Sequence, residues 1–371
     1  MKKQLFLSAL ILIFTFLLVQ SSLPQELTTV KINPATEVKN QGKSGTCWCF
    51  SVLSILESEL LKRGVEHPDL SELYIVRNIY IEKAKNYILR QGFTRFSEGA
   101  FGHDVFPAIE KYGIVPLSVY PNVAPGDTMN HMGFDEMLKK FLDSVLVRVP
   151  ISPDWEQNYV KMLDDKFGKP PEKFSYNGKE YTPIEFAQKV LKFTGDDFIG
   201  LTSFTHHPFY KAFNVEVPDN YSGGLFYNVP IEELIEAAEH AVMNDYTVGW
   251  DADVSNKFFN QRTGWAMNPK DKKDLKGIIN PDDEEIPYSQ KTRQELFENL
   301  TTQDDHLMHI VGLKKSEGGK DFFYVKNSWG TMGPFLGYIN VSETYFGINT
   351  ITIVLPKSAL SKELKAKLNI R

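Results

Sequence analysis

The stretch NQGKSGTCWCFS, residues 40–51, decides the fold. A cysteine there follows two glycines and a threonine, stands beside a tryptophan and a second cysteine, and heads an apolar-periodic run. Phe50, Leu53, Ile55, Leu56, Leu60 and Leu61 recur at near-helical spacing and Gly64 closes the run, which predicts a helix of about sixteen residues starting at Cys47. Cys47 and Cys49 are the only two cysteines in 371 residues. A bridge between positions i and i+2 fits disulfide geometry poorly, above all at a helix start. Two cysteines do not complete a zinc site, and C-x-C is not the C-x-x-C redox spacing. A nucleophile is the reading left for Cys47, because unpaired N–H groups at a helix N-terminus favour a thiolate and lower the thiol pKa. Cys49 reads as a small buried hydrophobe.

Outward from this segment, composition is that of a globular chain: 42% apolar, 24% charged, 13% aromatic. The net charge of -6, with no basic patch interleaved with aromatics, gives no support for nucleic-acid binding. At the N-terminus, Lys2 and Lys3 precede an apolar run from Leu5 to Val19, broken only by Ser8 and Thr15, and then Gln20, Ser21 and Ser22. Residues 1–22 therefore read as a secretory signal peptide, too short for the ~20 apolar residues of a spanning helix. The expected location is secreted or periplasmic, with no membrane role beyond the signal segment. That compartment permits disulfides, so two free thiols need a reason, and nucleophilic catalysis supplies one.

Further helices are expected from Ser71, a good N-cap, to about Leu89, and from 104 to 111, closed by Gly113. The middle, about 125–230, mixes helical periods (134–146, 182–193) with turn-rich stretches and reads as an insertion; another helical period follows at 231–242. The last third turns to short β-rich runs at 247–254, 306–315, 321–329, 336–342 and 350–356. Helices first and antiparallel strands last make an α+β, two-lobed domain over residues 23–356, with a basic tail at 357–371 expected to form a short helix.

A catalytic thiol needs a base, an orienting partner for that base, and a donor for the oxyanion. His306 begins the strand in DDHLMHIVG (304–312), and Asn327 lies in VKNSWG (325–330) on the next, so a hairpin would bring them together. Trp329, on the same strand face as Asn327, is placed to shield that pair from water. Gln41, six residues before Cys47 across a glycine turn, is placed to set its amide beside the Cys47 N–H. His309, three positions along from His306, falls on the opposite strand face and reads as structural. The adjacent histidines in FTHHPF (204–209) do not converge on one ion without further ligands, so no metal site is expected.

NQGKSGTCWCFS resembles the nucleophile segment of papain-like cysteine peptidases, and DHLMHIVG and VKNSWG resemble that family's His and Asn segments, in the family's order. In papain-like enzymes the His lies roughly 130–150 residues after the Cys. Here the interval is 259 residues, and the closer resemblance is to the bleomycin hydrolase and aminopeptidase C branch, known for a large insertion. SEGAFGHDVFPAIEKYGIVPLSVYP resembles the branch's Gly-Gly segment, here Gly99-Ala100, and YTVGWDADVS resembles its cleft-lining strand. The resemblance implies a papain-like fold with a mostly helical insertion, and a helical lobe against a barrel-like β lobe. It implies thiol catalysis by Cys47, His306, Asn327 and Gln41 with no metal or organic cofactor. It also implies peptide substrates bound at Gly99, Ala100, Trp329 and Asp251, an aminopeptidase limited by a C-terminal arm inside the cleft, and a homo-oligomer. An endopeptidase with an open cleft and a catalytically silent binding protein are the alternatives.

Overall fold

A computed structural model describes residues 26–124, 126–271 and 273–370. The expected signal peptide lies outside the described residues. The helices that matter are α1 (Cys47–Lys62), α2 (Glu72–Leu89), α3 (Val105–Tyr112), α4 (Phe134–Leu146), α5 (Trp155–Phe167), α6 (Ile231–Met243), α7 (Gln290–Glu298), α8 (Glu343–Asn349) and α9 (Lys362–Leu368). The strands are β1 (Thr28–Ile32), β2 (Phe174–Tyr176), β3 (Lys179–Tyr181), β4 (Phe198–Thr202), β5 (Ala212–Asn214), β6 (Leu225–Asn228), β7 (Val248–Ala252), β8 (Phe259–Asn260), β9 (Trp265–Ala266), β10 (His306–Lys315), β11 (Asp321–Lys326), β12 (Tyr338–Ser342) and β13 (Thr350–Pro356).

All strands but β2 and β3 join one sheet in the order β5-β6-β4-β13-β7-β10-β11-β12-β9-β8, with β1 also on β10. Pairing is antiparallel except β4–β6 and β9–β12. The sheet is open, with β5 and β8 at its ends, rather than a closed barrel. One apolar core lies between α1, α2, α3 and the insertion helices α4 and α5; the other lies between the sheet and α6, α8 and α9. Alternation along β10 and β13 divides the two: Leu307 and Val354 face the first core, Met308, Ile310, Ile353 and Leu355 the second. Within 125–230, beyond the helices read from the sequence, the β2–β3 hairpin and strands β4 to β6 appear, the latter extending the main sheet. Residues 182–193 form one short helical turn and then a π-helix (Phe186–Leu191), whose wide turns set Phe186 against Phe174, Tyr176 and Tyr181 of the hairpin.

Helix α1 runs between the lobes, so nearly every side of it is buried. Its sheet-facing contacts are polar: Ser51 Oγ donates to the Met308 carbonyl (2.6 Å), and Ser54 Oγ lies 2.8 Å from His309 Nδ1. On its other flank Lys39 Nζ reaches Glu57 (2.9 Å), Glu72 (2.7 Å) and Asp69 (2.8 Å). Burial pulls the Lys39 ammonium down, but Glu72, Glu57 and Asp69 together hold it above its usual range. Lys39→Met strands two carboxylates whose side chains are only 1% exposed. It is expected to cost about 3–5 kcal/mol, read from the denaturant midpoint.

Candidate active site

The helix that carries Cys47 starts where the sequence places it, and no side chain caps its first turn. The Cys49 N–H is taken by the Thr46 carbonyl (3.0 Å), which leaves the N–H groups of Cys47 and Trp48 at the helix start to meet an oxyanion. The turn before it needs Gly42: its φ is +58°, and a Cβ there would collide with the Met129 carbonyl, which accepts from Lys43 N at 2.8 Å. Gln41 is tied from both ends. Its N–H donates to the Ser328 carbonyl (2.8 Å), its Oε1 accepts from Ser328 Oγ (2.6 Å), and its Nε2 donates to the Ser44 carbonyl (2.7 Å). One hydrogen of the Gln41 amide is left over, and Gln41 lines the cleft that holds Cys47.

The tautomer of His306 follows from a chain of hydrogen bonds that begins at two backbone carbonyls. The carbonyls of Met332 and Tyr338 can only accept, so the amide nitrogen of Gln261 must face them (3.2 Å each). Gln261 Oε1 then accepts from Asn327 Nδ2 (2.9 Å), which turns Asn327 Oδ1 toward His306 Nε2 (2.8 Å). Nε2 carries the proton, and Nδ1 is the free base. Trp329 stacks on the imidazole, ring centres 4.7 Å apart, and excludes water from this pair. Gln261 is a positioning residue the sequence reading missed; it opens the tight turn between the two-residue strands β8 and β9, which no spacing or motif marks.

A single cleft of about 440 Å³ is lined by Gln41, Cys47, His306 and Trp329 together with Gly99, Ala100, Asp219 and Asp304. Burial lowers the His306 pKa, while the Asn327 bond and Asp305 pull it up. Burial pushes the Cys47 thiol up to about 12, against the N–H groups of Leu307 and Trp48. The helix-terminus effect expected from the sequence is present in the Trp48 N–H but is outweighed by desolvation and by Asp304 and Asp251. An isolated thiol in this setting holds its proton, so a thiolate needs a base to take it, the part His306 in the same cleft is placed to play.

Gly99 and Ala100 lie in the cleft wall, held by Lys83 Nζ on the Gly99 carbonyl and by Trp48 Nε1 on the Glu98 carbonyl (3.1 Å). Gly99 lies directly under Asp219, whose carboxylate a Cβ at this position would push aside. Asp251 does not line the cleft. It is buried on β7, accepts from Thr352 Oγ1 (3.3 Å), and its carboxyl reaches that of Asp304, which does line it. Burial raises Asp251 well above the carboxylate range, with Asp304 adding to it; burial and Asp219 raise Asp304 to about 7. Folded-state values above the unfolded one mean that the native state holds protons the unfolded chain releases, so this pair costs stability as pH rises from about 4 through about 7. Asp251→Asn keeps a donor to Asp304 and removes the second acid. It is expected to stabilise the protein by about 1–2 kcal/mol at pH 8 and less at pH 5, read by thermal unfolding at both.

His309 is buried against Ser54 on the α1 face of β10. Cys49 is buried beside the Glu72 carbonyl, and both thiols are free. Glu216 joins the histidines of FTHHPF: its carboxylate meets His206 Nε2 (3.1 Å) and His207 Nε2 (2.6 Å), a set whose ligand atoms lie within 4.8 Å of one another. Gln294 Oε1 is held by Thr205 N, so its amide donates to His206 Nδ1 (2.8 Å) and keeps the His206 proton on Nε2, facing Glu216. This is the arrangement of a hydrogen-bonded cluster, with that nitrogen unavailable to an ion.

The C-terminal segment departs from the arm that the resemblance implies. Leu364, Leu368 and Ile370 join the core beneath α6, and Lys367 Nζ pairs with Glu233 (2.9 Å). The cleft lining draws nothing from 357–370.

Comparison with known proteins accords with this geometry. Residues 97–371 match the Peptidase C1-like family and residues 23–138 the papain family of cysteine proteases. Aminopeptidase G of Lactobacillus delbrueckii subsp. lactis is 25% identical, the alignment covering 89% of this chain and 83% of that one. Aminopeptidase E of Lactobacillus helveticus is 26% identical (88% and 82% covered), and aminopeptidase C of Lactococcus lactis subsp. cremoris 25% (92% and 85%). The crystal structure of PepW from Lactobacillus rhamnosis superposes with a TM-score of 0.75 at 20% identity, over 92% of this chain and 84% of that one. The chain belongs to the Peptidase C1-like family: it is a cysteine-type peptidase of papain-like fold, in the branch its three motifs resemble.

Proposed function

We propose that this member of the Peptidase C1-like family is an aminopeptidase working through Cys47, His306 and Asn327. Substrate binding displaces water from the cleft, and His306 Nδ1 takes the Cys47 proton. The thiolate attacks the peptide carbonyl. The resulting oxyanion meets the Cys47 N–H and the free hydrogen of the Gln41 amide. Imidazolium returns the proton to the leaving amine, and an acyl-enzyme remains. Water, deprotonated by the same Nδ1, then releases the acid and the thiol. Asn327 keeps the imidazole in the required tautomer throughout.

The observation that carries this reading is the chain of hydrogen bonds from Gln261 through Asn327 to His306, which leaves Nδ1 as the free base in the cleft that holds Cys47. The names of the relatives favour exopeptidase action. One observation favours the endopeptidase alternative: the C-terminal segment packs beneath α6 and does not fill the cleft. Paired fluorogenic peptides, one with a free N-terminal amine and one acetylated, separate the two. An aminopeptidase cleaves the first alone; equal cleavage of both would make the enzyme an endopeptidase. Lys2, Lys3 and the apolar run that follows support action outside the cytosol.

A further inference from the structure

An aminopeptidase has to recognise a free ammonium group, for which a carboxylate is the natural partner, and none of residues 357–370 lines the cleft. The cleft has its own. Asp304 and Asp219 both line it, and Arg95 pairs with Asp219 at 3.4 Å through a side chain that is 54% exposed. Among the described residues no lysine, arginine or histidine lies within ion-pair distance of Asp304. Asp251 stands behind it. Gly249, two residues earlier on β7, faces α1, where a Cβ would press on Ile55; Asp251 faces the same side, which is the side of the cleft. Asp251 is 1% exposed, and its carboxyl hydrogen-bonds that of Asp304 and accepts from Thr352 Oγ1. The pair thus joins a half-buried carboxyl in the cleft wall to a fully buried one behind it, and Arg95, the cation that acts on Asp304, stands outside ion-pair distance and is engaged by Asp219.

Asp304 and Arg95 also line a neighbouring pocket of about 550 Å³ that includes none of Gln41, Cys47, His306 or Trp329. They therefore mark the end of the cleft away from the nucleophile. His306 has to protonate the leaving amine, and Trp329 stacks on His306, which sets the leaving group toward Trp329. The acyl portion then extends toward Asp304.

We propose that Asp304, backed by Asp251 and flanked by Asp219 over Gly99, receives the α-ammonium group of the substrate on the acyl side of the scissile bond. This rests on the aminopeptidase reading and names the residues that would impose it. Asp219 comes from the segment between β5 and β6, so the insertion rather than the C-terminus supplies part of the anchor.

The test uses three fluorogenic substrates: leucine amide with a free amine, its acetylated form, and acetyl-lysine amide. They are assayed with the intact enzyme, Asp304→Asn and Asp219→Asn, each checked by thermal unfolding. The expected result is that the free-to-acetylated ratio of kcat/KM falls at least tenfold in Asp304→Asn, mainly through KM, with a smaller fall in Asp219→Asn. If the intact enzyme shows no preference for the free amine, the aminopeptidase reading fails first. If it shows the preference and both variants keep it, the anchor lies elsewhere and this inference is overturned. Cleavage of acetyl-lysine amide that depends on Asp304 would make the bound cation a side chain, which also overturns it. An Asp304→Glu variant that regains part of the ratio would separate a charge contact from loss of fold.

Discussion

Replacing Cys47 with alanine is expected to lower kcat/KM for peptide hydrolysis by about ten-thousand-fold or more while leaving the unfolding transition in place. The size of the effect follows from the absence of a substitute. Cys49, the other thiol, is fully buried against Glu72 and does not line the cleft. The same side chain allows a finer measurement. Burial pushes the isolated Cys47 thiol up to about 12, so near neutral pH it is inert unless its proton passes to His306. Alkylation by iodoacetamide at pH 7 is therefore expected to slow at least a hundredfold in His306→Ala. In that variant it should recover only as pH rises toward the thiol's own range. Wild-type alkylation rates in His306→Ala would falsify the base assignment. Thermal unfolding of both variants distinguishes loss of chemistry from loss of fold.

The parts of the site that were legible in the sequence are those that a local rule controls. Cys47 at a helix start follows from apolar spacing and two glycines, and the structure begins α1 at that residue. Ser71 caps α2 by accepting from Tyr74 N, as its residue type suggests. His306 begins β10 and Asn327 directly follows β11, which stops at Lys326 rather than running to 329, and the antiparallel pairing of the two strands brings them together. What was not legible depends on contacts between segments remote in the chain. Gln261 orients Asn327 from 66 positions away. Asp304 gains its character from Asp251 and Asp219, on two other segments. The Trp48 N–H does lower the Cys47 thiol, as the helix start suggests, while the burial and the carboxylates that push it up belong to the assembled lobes and leave no mark in the sequence. Strands β4 to β6 are short and add in turn to one side of the sheet, β4 on β13, β6 on β4 and β5 on β6, so their identity comes from these pairings rather than from their own pattern.

Gln41→Ala is the second large effect, an expected loss of about a hundred- to a thousandfold in kcat with KM little changed. Only the donor facing the oxyanion acts in the transition state alone, and losses of that kind fall on kcat. Gln41 also tethers the nucleophile turn to the strand segment after Asn327, through Ser328 Oγ on its Oε1 and its own N–H on the Ser328 carbonyl. Alanine keeps the backbone tie and loses the side-chain one, so part of any loss arises from a loosened turn. Ser328→Ala measures that part, because it removes the hydrogen bond that aims the amide and leaves the amide present. Its expected cost is about tenfold, well below that of Gln41→Ala. Equal losses in the two variants would mean that Gln41 serves to position the turn and that the oxyanion relies on the uncapped first turn of α1. A gap of tenfold or more between them, at matched unfolding midpoints, places the Gln41 amide on the oxyanion itself.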